Sequence, residues 1–159
     1  MPGVTVKDLD QHVVTKVLAS FLKKSGKLVV PVQAEFIKTG KFKETAPTED
    51  DWFYTRCASI MRHLYIRSPS GVAAFTKVYG GRKRNGTHPS RYCRSADGCI
   101  RKALQALEAA RMVEKHPEGG RKLTSKGQRD MDRIANQIVV KQRSANKEPC
   151  VITTSTAWD

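Results

Sequence analysis

The stretch DWFYTRCASIMRHLYIR, residues 51–67, decides how this chain folds. At helical spacing Phe53, Cys57, Ile60, Met61 and Leu64 fall at i, i+4, i+7, i+8 and i+11, one apolar stripe that Tyr54, Ala58 and Tyr65 widen on a flank. Trp52, Ser59 and Ile66 follow one another at i+7 intervals round the other side. A helix apolar on two flanks packs against several neighbours at once, so the spacing predicts a central helix with the other elements grouped round it. Its start is expected at Thr48, a capping residue behind Pro47, with Glu49, Asp50 and Asp51 at the positive end of the helix dipole. Arg62, His63 and Arg67 match them at the other end.

Working toward the N-terminus, Lys41-Phe42-Lys43-Glu44 leads into this helix, and a short helix is expected around Val32 to Lys38, after the strand or extended run Leu28-Val29-Val30. Before it, Thr5 to Lys24 reads as one helix, capped by Thr5, with Leu9, Val13, Val17, Phe21 and Leu22 as its buried face and Ser25-Gly26 as its stop. Toward the C-terminus, Ser68 as cap and Pro69 at the first helical position predict a helix to Tyr79 with Val72, Phe75, Val78 and Tyr79 on its face. Arg82-Lys83-Arg84-Asn85-Gly86 reads as a loop with a turn at Asn85-Gly86, and an extended piece leads on to a helix from about Ser95 to Met112. Residues 113–123 read as a short hairpin, a wing between two helices. Ser125 and Gln128 are expected to form a capping box for the last helix, whose face is Met131, Ile134, Ala135, Ile138 and Val139. The fold class is therefore mainly α, a winged-helix-like bundle round the central helix with one β-hairpin. Residues 1–143 are expected to form a single domain and residues 144–159 a flexible tail.

A chain of 159 residues with 29 basic against 15 acidic side chains carries a formal charge of +14, well beyond the magnitude of about 2–8 that solubility asks for. Such an excess on a chain that is 39% hydrophobic points to a folded domain with a polyanion partner. No apolar run approaches the roughly 20 residues of a membrane span, so no membrane partner is expected. Lys77, Arg82, Lys83, Arg84, Arg91, Arg94, Arg101 and Lys102 face a single acid, Asp97, between residues 77 and 102. Guanidinium forks and backbone amides there can meet the same phosphates, and Tyr79, His88 and Tyr92 offer ring faces for unstacked bases. On the central helix, Trp52, Arg56 and Arg62 make either a second RNA-facing strip or a core Trp52 with Arg56 stacked on it. Arg121 and Lys122 of the wing are similarly open to either a backbone contact or a solvated hairpin.

Catalytic chemistry finds no footing. No Ser/His/Asp or Cys/His set is arranged as a nucleophile needs, and neither Gly80-Gly81 nor Gly119-Gly120 is followed by the Lys-Ser/Thr of a phosphate-binding loop. His88, Cys93 and Cys99 match no zinc spacing, so no metal, cofactor or small-molecule substrate is expected. Cys57, Cys93, Cys99 and Cys150 read as reduced thiols, Cys57 within the central stripe.

The runs DWFYTRCASIMRHLY, TKVYGGRKRNGTHPS and RKALQALEAARMVEKHPEGGRKLTSKGQRDMDRIA, with the opening PGVTVKDLDQ, closely resemble the eukaryotic and archaeal small-subunit ribosomal proteins numbered nineteen of the "e" type, over about residues 2–143. The resemblance implies an all-α fold related to winged helices and a place in the head of the small subunit, on ribosomal RNA and beside other head proteins. It also implies a part in late maturation of the RNA precursor with pre-ribosomal assembly factors, and residence in the cytoplasm after nucleolar passage. Carried across, the family's basic surface falls on Trp52, Arg56, Arg62, Lys77, Arg82, Lys83, Arg84, Asn85, Arg101, Lys102, Arg121 and Lys122. Arg91 and Arg94 join them from the charge pattern, and His88 as a ring face beside those cations. The rival is a winged-helix DNA-binding regulator, which would need a helix presenting Arg, Asn or Gln to base edges. The helix from Pro69 to Tyr79 has none of them.

Overall fold

Five α-helices and two antiparallel hairpins make up the regular structure of residues 3–145, the part of the chain that the computed structural model describes. A 3₁₀ turn, Val6–Asp8, precedes α1 (Gln11–Ser25), and a second, Val32–Glu35, precedes α2 (Trp52–Ile66). Then come α3 (Val72–Val78), the hairpin β1 (Gly81–Asn85) and β2 (His88–Cys93), α4 (Asp97–Ala109), the hairpin β3 (Val113–Lys115) and β4 (Arg121–Leu123), and α5 (Ser125–Ala145). Cys150 and most of the expected tail lie outside the described residues. No helix among them is long and apolar enough to cross a membrane.

Helix α2 is central as its stripe predicts. Phe53, Cys57, Ile60, Met61 and Leu64 are each at most 1% exposed. Against them pack Val14, Leu18 and Leu22 of α1, Ile100, Leu104 and Leu107 of α4, and Met131, Ile134 and Ile138 of α5. Burial pushes the Cys57 thiol up to about 12, so it stays a protonated apolar group at neutral pH. The expected cap at Thr48 is not used. The helix starts one turn later behind Asp51, whose carboxylate makes no cap bond and instead accepts from Lys23 Nζ at 2.6 Å. That exposed ion pair ties the end of α1 to the start of α2.

The first helix is shorter than its periodicity suggests. Asp8 accepts from the Thr5 amide at 2.8 Å and the Thr5 hydroxyl at 3.0 Å, closing a 3₁₀ turn instead of opening an α-helix. Leu9 is then extended, and Asp10 starts α1 afresh by accepting from the His12 amide at 3.3 Å. The break resets the buried register to Val14, Leu18, Ala19 and Leu22 and leaves Val17 36% exposed. Between α1 and α2 the expected short helix is only the 3₁₀ turn, and residues 28–30 form neither helix nor strand. Ser68 and Pro69 stay in the turn before α3, which begins behind Gly71; Phe75 and Thr76 are its buried residues, while Val78 points outward. Helix α5 is capped one residue earlier than expected, by Thr124 Oγ1 accepting from the Gly127 amide at 3.1 Å.

The basic segment after α3 is a second hairpin, not a loop. Gly81 pairs with Cys93, Arg82 with Tyr92 and Lys83 with Arg91 round the turn at Gly86 (φ 66°), which is where Asn85-Gly86 predicts it. Its root is clamped to the body. The Tyr92 hydroxyl donates to the Lys77 carbonyl at 2.6 Å, and the Ser95 hydroxyl to the Thr39 carbonyl at 2.7 Å. The wing forms at the predicted place, and Ser70 and Arg121 exchange backbone hydrogen bonds of 3.0 Å that fix it to the α2–α3 turn.

Gly80 sits where this clamp leaves no room. A Cβ there would collide with the Tyr92 hydroxyl and stand 2.8 Å from the Cys93 carbonyl oxygen. Gly80→Ala is expected to cost about 1–3 kcal/mol of stability, the range of overpacking. Chemical denaturation of the variant beside Gly26→Ala, where nothing lies within 4 Å but φ is +63°, separates steric crowding from backbone strain.

Candidate nucleic-acid interface

Hairpin β1–β2 carries the densest positive charge. Arg82, Lys83, Arg84, Asn85, His88 and Arg91 are all exposed, as is Arg94 just beyond it. Residues 81–94 hold five cations and no acid, and none of the five makes an ion pair. Arg82 Nε donates to the Ser90 hydroxyl and Asn85 Nδ2 to the Pro89 carbonyl at 3.3 Å, so two side chains are steadied by the opposite strand. Arg84 lies at the irregularity between Lys83 and Asn85. Lys83 stands directly opposite Arg91 across the strands, an arrangement that destabilises an isolated hairpin. Tyr92 is exposed although its hydroxyl is engaged, so its ring remains available to a base.

A second basic surface lines a groove of about 610 Å³ between α1 and α2, and here the side chains are held from within. Arg56 stacks its guanidinium 4.0 Å from the centre of the Tyr79 ring. Trp52 is not its platform, as the sequence had allowed. Trp52 instead donates Nε1–H to the Ala34 carbonyl at 3.2 Å and meets Phe53 edge to face. Tyr79 donates to the Ser59 hydroxyl at 2.8 Å, lies parallel to Phe75 and takes the edge of His63. Arg56 Nη1 is buried without a hydrogen-bond partner, and burial lowers the Arg56 pKa from its ordinary value. Tyr79 is thus spent as a structural platform, while Arg62 stands beside it on the groove wall. Lys16 and Lys43 also line this groove. Sequence reasoning missed both, because only the packing of α1 and the 39–49 segment on α2 brings them there.

The same cluster gives stability a pH dependence. Burial first, then the charges of Arg62 and Arg67, lower the His63 pKa below its ordinary 6.5. A depressed histidine binds its proton more readily unfolded, so its contribution is complete above about pH 6.5 and is lost as pH falls through the lowered value. The denaturant midpoint of the wild type is expected to fall between pH 7.5 and 5.5, and to fall less in His63→Gln. Parallel curves for the two proteins would refute the assignment to His63.

The remaining nominated cations are placed differently. Arg101 is exposed but shares Asp97 at 3.5 Å, and Lys102 is exposed and makes no ion pair. Both line a small cleft beside the Val32–Glu35 turn, with Arg101 also near Arg94. Arg121 is drawn inward, its side chain 16% exposed and 3.6 Å from Glu108, leaving little of it to offer a phosphate. Lys122 pairs with Glu114 at 3.1 Å. The structure therefore gathers the hairpin residues with Lys77 and Arg94, and Arg56 with Arg62, and keeps the wing pair engaged with the protein's own acids.

Comparison with known proteins identifies the family. The family described as ribosomal protein S19e matches residues 5–141. Small ribosomal subunit protein eS19B of Drosophila melanogaster is 74% identical over 155 residues, spanning 98% of this chain and 100% of the relative. Its counterpart eS19A from the same organism is 71% identical over 96% of this chain and 99% of its own length. Small ribosomal subunit protein eS19 of Argopecten irradians is 61% identical over 89% of this chain and 99% of the relative. With the match running from the first 3₁₀ turn into the last helix, and with identity this high across whole relatives, the chain belongs to the ribosomal protein S19e family.

Proposed function

We propose that the β1–β2 hairpin, with Lys77 and Arg94 at its root, is the surface through which this structural protein of the small ribosomal subunit lies on ribosomal RNA. The observation that carries it is Lys83 facing Arg91 in a hairpin without one acidic residue. Among the described residues no acid pairs with either cation, whereas phosphates on both sides of the strand pair would offset the repulsion. Such contacts fix position through charge and shape; sequence is read elsewhere or not at all. Tyr92 and His88 supply ring faces beside the cations. The Arg56–Arg62 groove makes a second, more rigid contact strip, because Arg56 is already stacked before the RNA arrives.

The role is architectural. The protein neutralises folded RNA in the head of the subunit, supports assembly and maturation of the small-subunit RNA precursor, and accompanies the particle from the nucleolus to the cytoplasm. For the DNA-reading alternative, α3 is seven residues long and presents Ala73, Ala74, Lys77 and Val78 outward, with no Arg, Asn or Gln for base edges.

Binding to small-subunit ribosomal RNA, titrated at several salt concentrations, tests this. Contact with six to eight phosphates is expected to give a slope of roughly −4 to −7 in log affinity against log salt. A slope near zero, or a protected sequence on duplex DNA at physiological salt, would overturn the proposal.

A further inference from the structure

The segment from Val29 to Phe36 is built unlike the rest of the surface. Val29 is 75% exposed, Val32 84% and Phe36 77%, with Val30 partly exposed between them. The segment is not loose. Ala34 is buried, its carbonyl accepts from Trp52, and the amides of Ala34 and Phe36 donate to Pro31 and Gln33 at 2.8 and 3.2 Å. The backbone is thus pinned while its large apolar side chains face water. Single exposed apolar residues are ordinary, but four within eight residues of an ordered turn mark a contact surface.

Beside the turn is a cleft of about 120 Å³ lined by Pro31, Ala34, Ile37 and Phe53, with the exposed Arg101 and Lys102 also contributing to it. That volume suits one aliphatic side chain, being smaller than the roughly 150 Å³ in which an apolar cavity holds benzene. Lys27 and Lys38 stand exposed at the two ends of the segment, and Glu35 is its one acid. We infer that this face docks a segment of a neighbouring protein, one that inserts an aliphatic side chain into the cleft and sets carboxylates against Lys102, Arg101 and Lys38. Three of the four exposed side chains are valines, which offer a polynucleotide neither charge nor a stacking plane; Phe36 alone has a ring face, and an RNA adduct there is the opposing outcome of the test. A second copy does not fit, because a chain of charge +14 would bring the same cations to the same place. The face is separate from the hairpin proposed for RNA, and the inference does not depend on that proposal.

Placing p-benzoylphenylalanine at position 36 of the full chain in assembled small subunits tests this. The expected adduct is a protein segment in which an aliphatic residue is flanked by carboxylates. In that background Val32→Asp is expected to lower the yield by about tenfold or more, since like charge is set against the partner, whereas Val32→Lys keeps most of it. Loss of incorporation with Asp but not with Lys counts as the same result. An adduct with RNA or with a second copy, no adduct, or equal effects of the two variants would overturn the inference. The same photoreactive residue at position 84 reports on the RNA proposal separately: an RNA adduct there with none at position 36 sinks only the docking face.

Discussion

Leu64→Ala is expected to destabilise the protein by about 2–5 kcal/mol, the cost of lost transfer energy plus the cavity left when a fully buried leucine is truncated. Leu64 is 1% exposed, and it closes the far end of the stripe that α2 turns toward the core. Helices α1, α4 and α5 all contribute to that core, so collapse into the void would have to move several elements at once. The cost therefore belongs near the upper part of the range. Ile66, two residues away and 45% exposed, is the internal control, with Ile66→Ala expected to cost less than about 1 kcal/mol. Urea unfolding of both variants, with unchanged slopes, measures the difference. Equal losses would mean that α2 is not the element round which the core is built.

The stripe of α2 was legible because five large apolar residues repeat at the helical period with no competing signal. The start of α1 was not, because Thr5 and Asp10 are both good caps and only the bond from Asp8 back to Thr5 decides that the first closes a mere 3₁₀ turn. Five residues of difference at the start moved the inward face from Val13 and Val17 to Val14 and Leu18. The wing at residues 113–123 announced itself through its glycines, and the second hairpin did not. Arg82, Lys83, Arg84 and Asn85 all face solvent, so period-two alternation had no buried side to report. The pairing instead follows from the turn at Gly86 and from clamps at Lys77 and Thr39 that join distant parts of the chain. Charge was easier to read than its placement. Sequence found the cations of the hairpin, yet it could not tell that Arg121 would be turned toward Glu108, or that Arg56 would rest on Tyr79 and leave Trp52 to the core.

Replacing Arg82, Lys83 and Arg84 together by Ala is expected to weaken binding to small-subunit ribosomal RNA by about a hundredfold near physiological salt. The estimate follows from three phosphate contacts, each worth roughly 0.7–0.9 in the salt slope, so the slope itself should become shallower by about 2–3. Folding should survive. The three side chains are exposed, make no ion pair and give up only the bond from Arg82 to Ser90. Losing Lys83 also relieves its repulsion by Arg91, so the melting temperature is expected to hold or rise slightly. Weak incorporation into subunits at unchanged protein level would accompany the loss in affinity. The control is Lys122→Ala, whose ammonium is already paired with Glu114 and whose removal should leave the slope nearly unchanged. If the triple variant and the control bind alike, the positive charge of the hairpin serves something other than RNA, and the strain between Lys83 and Arg91 loses its explanation.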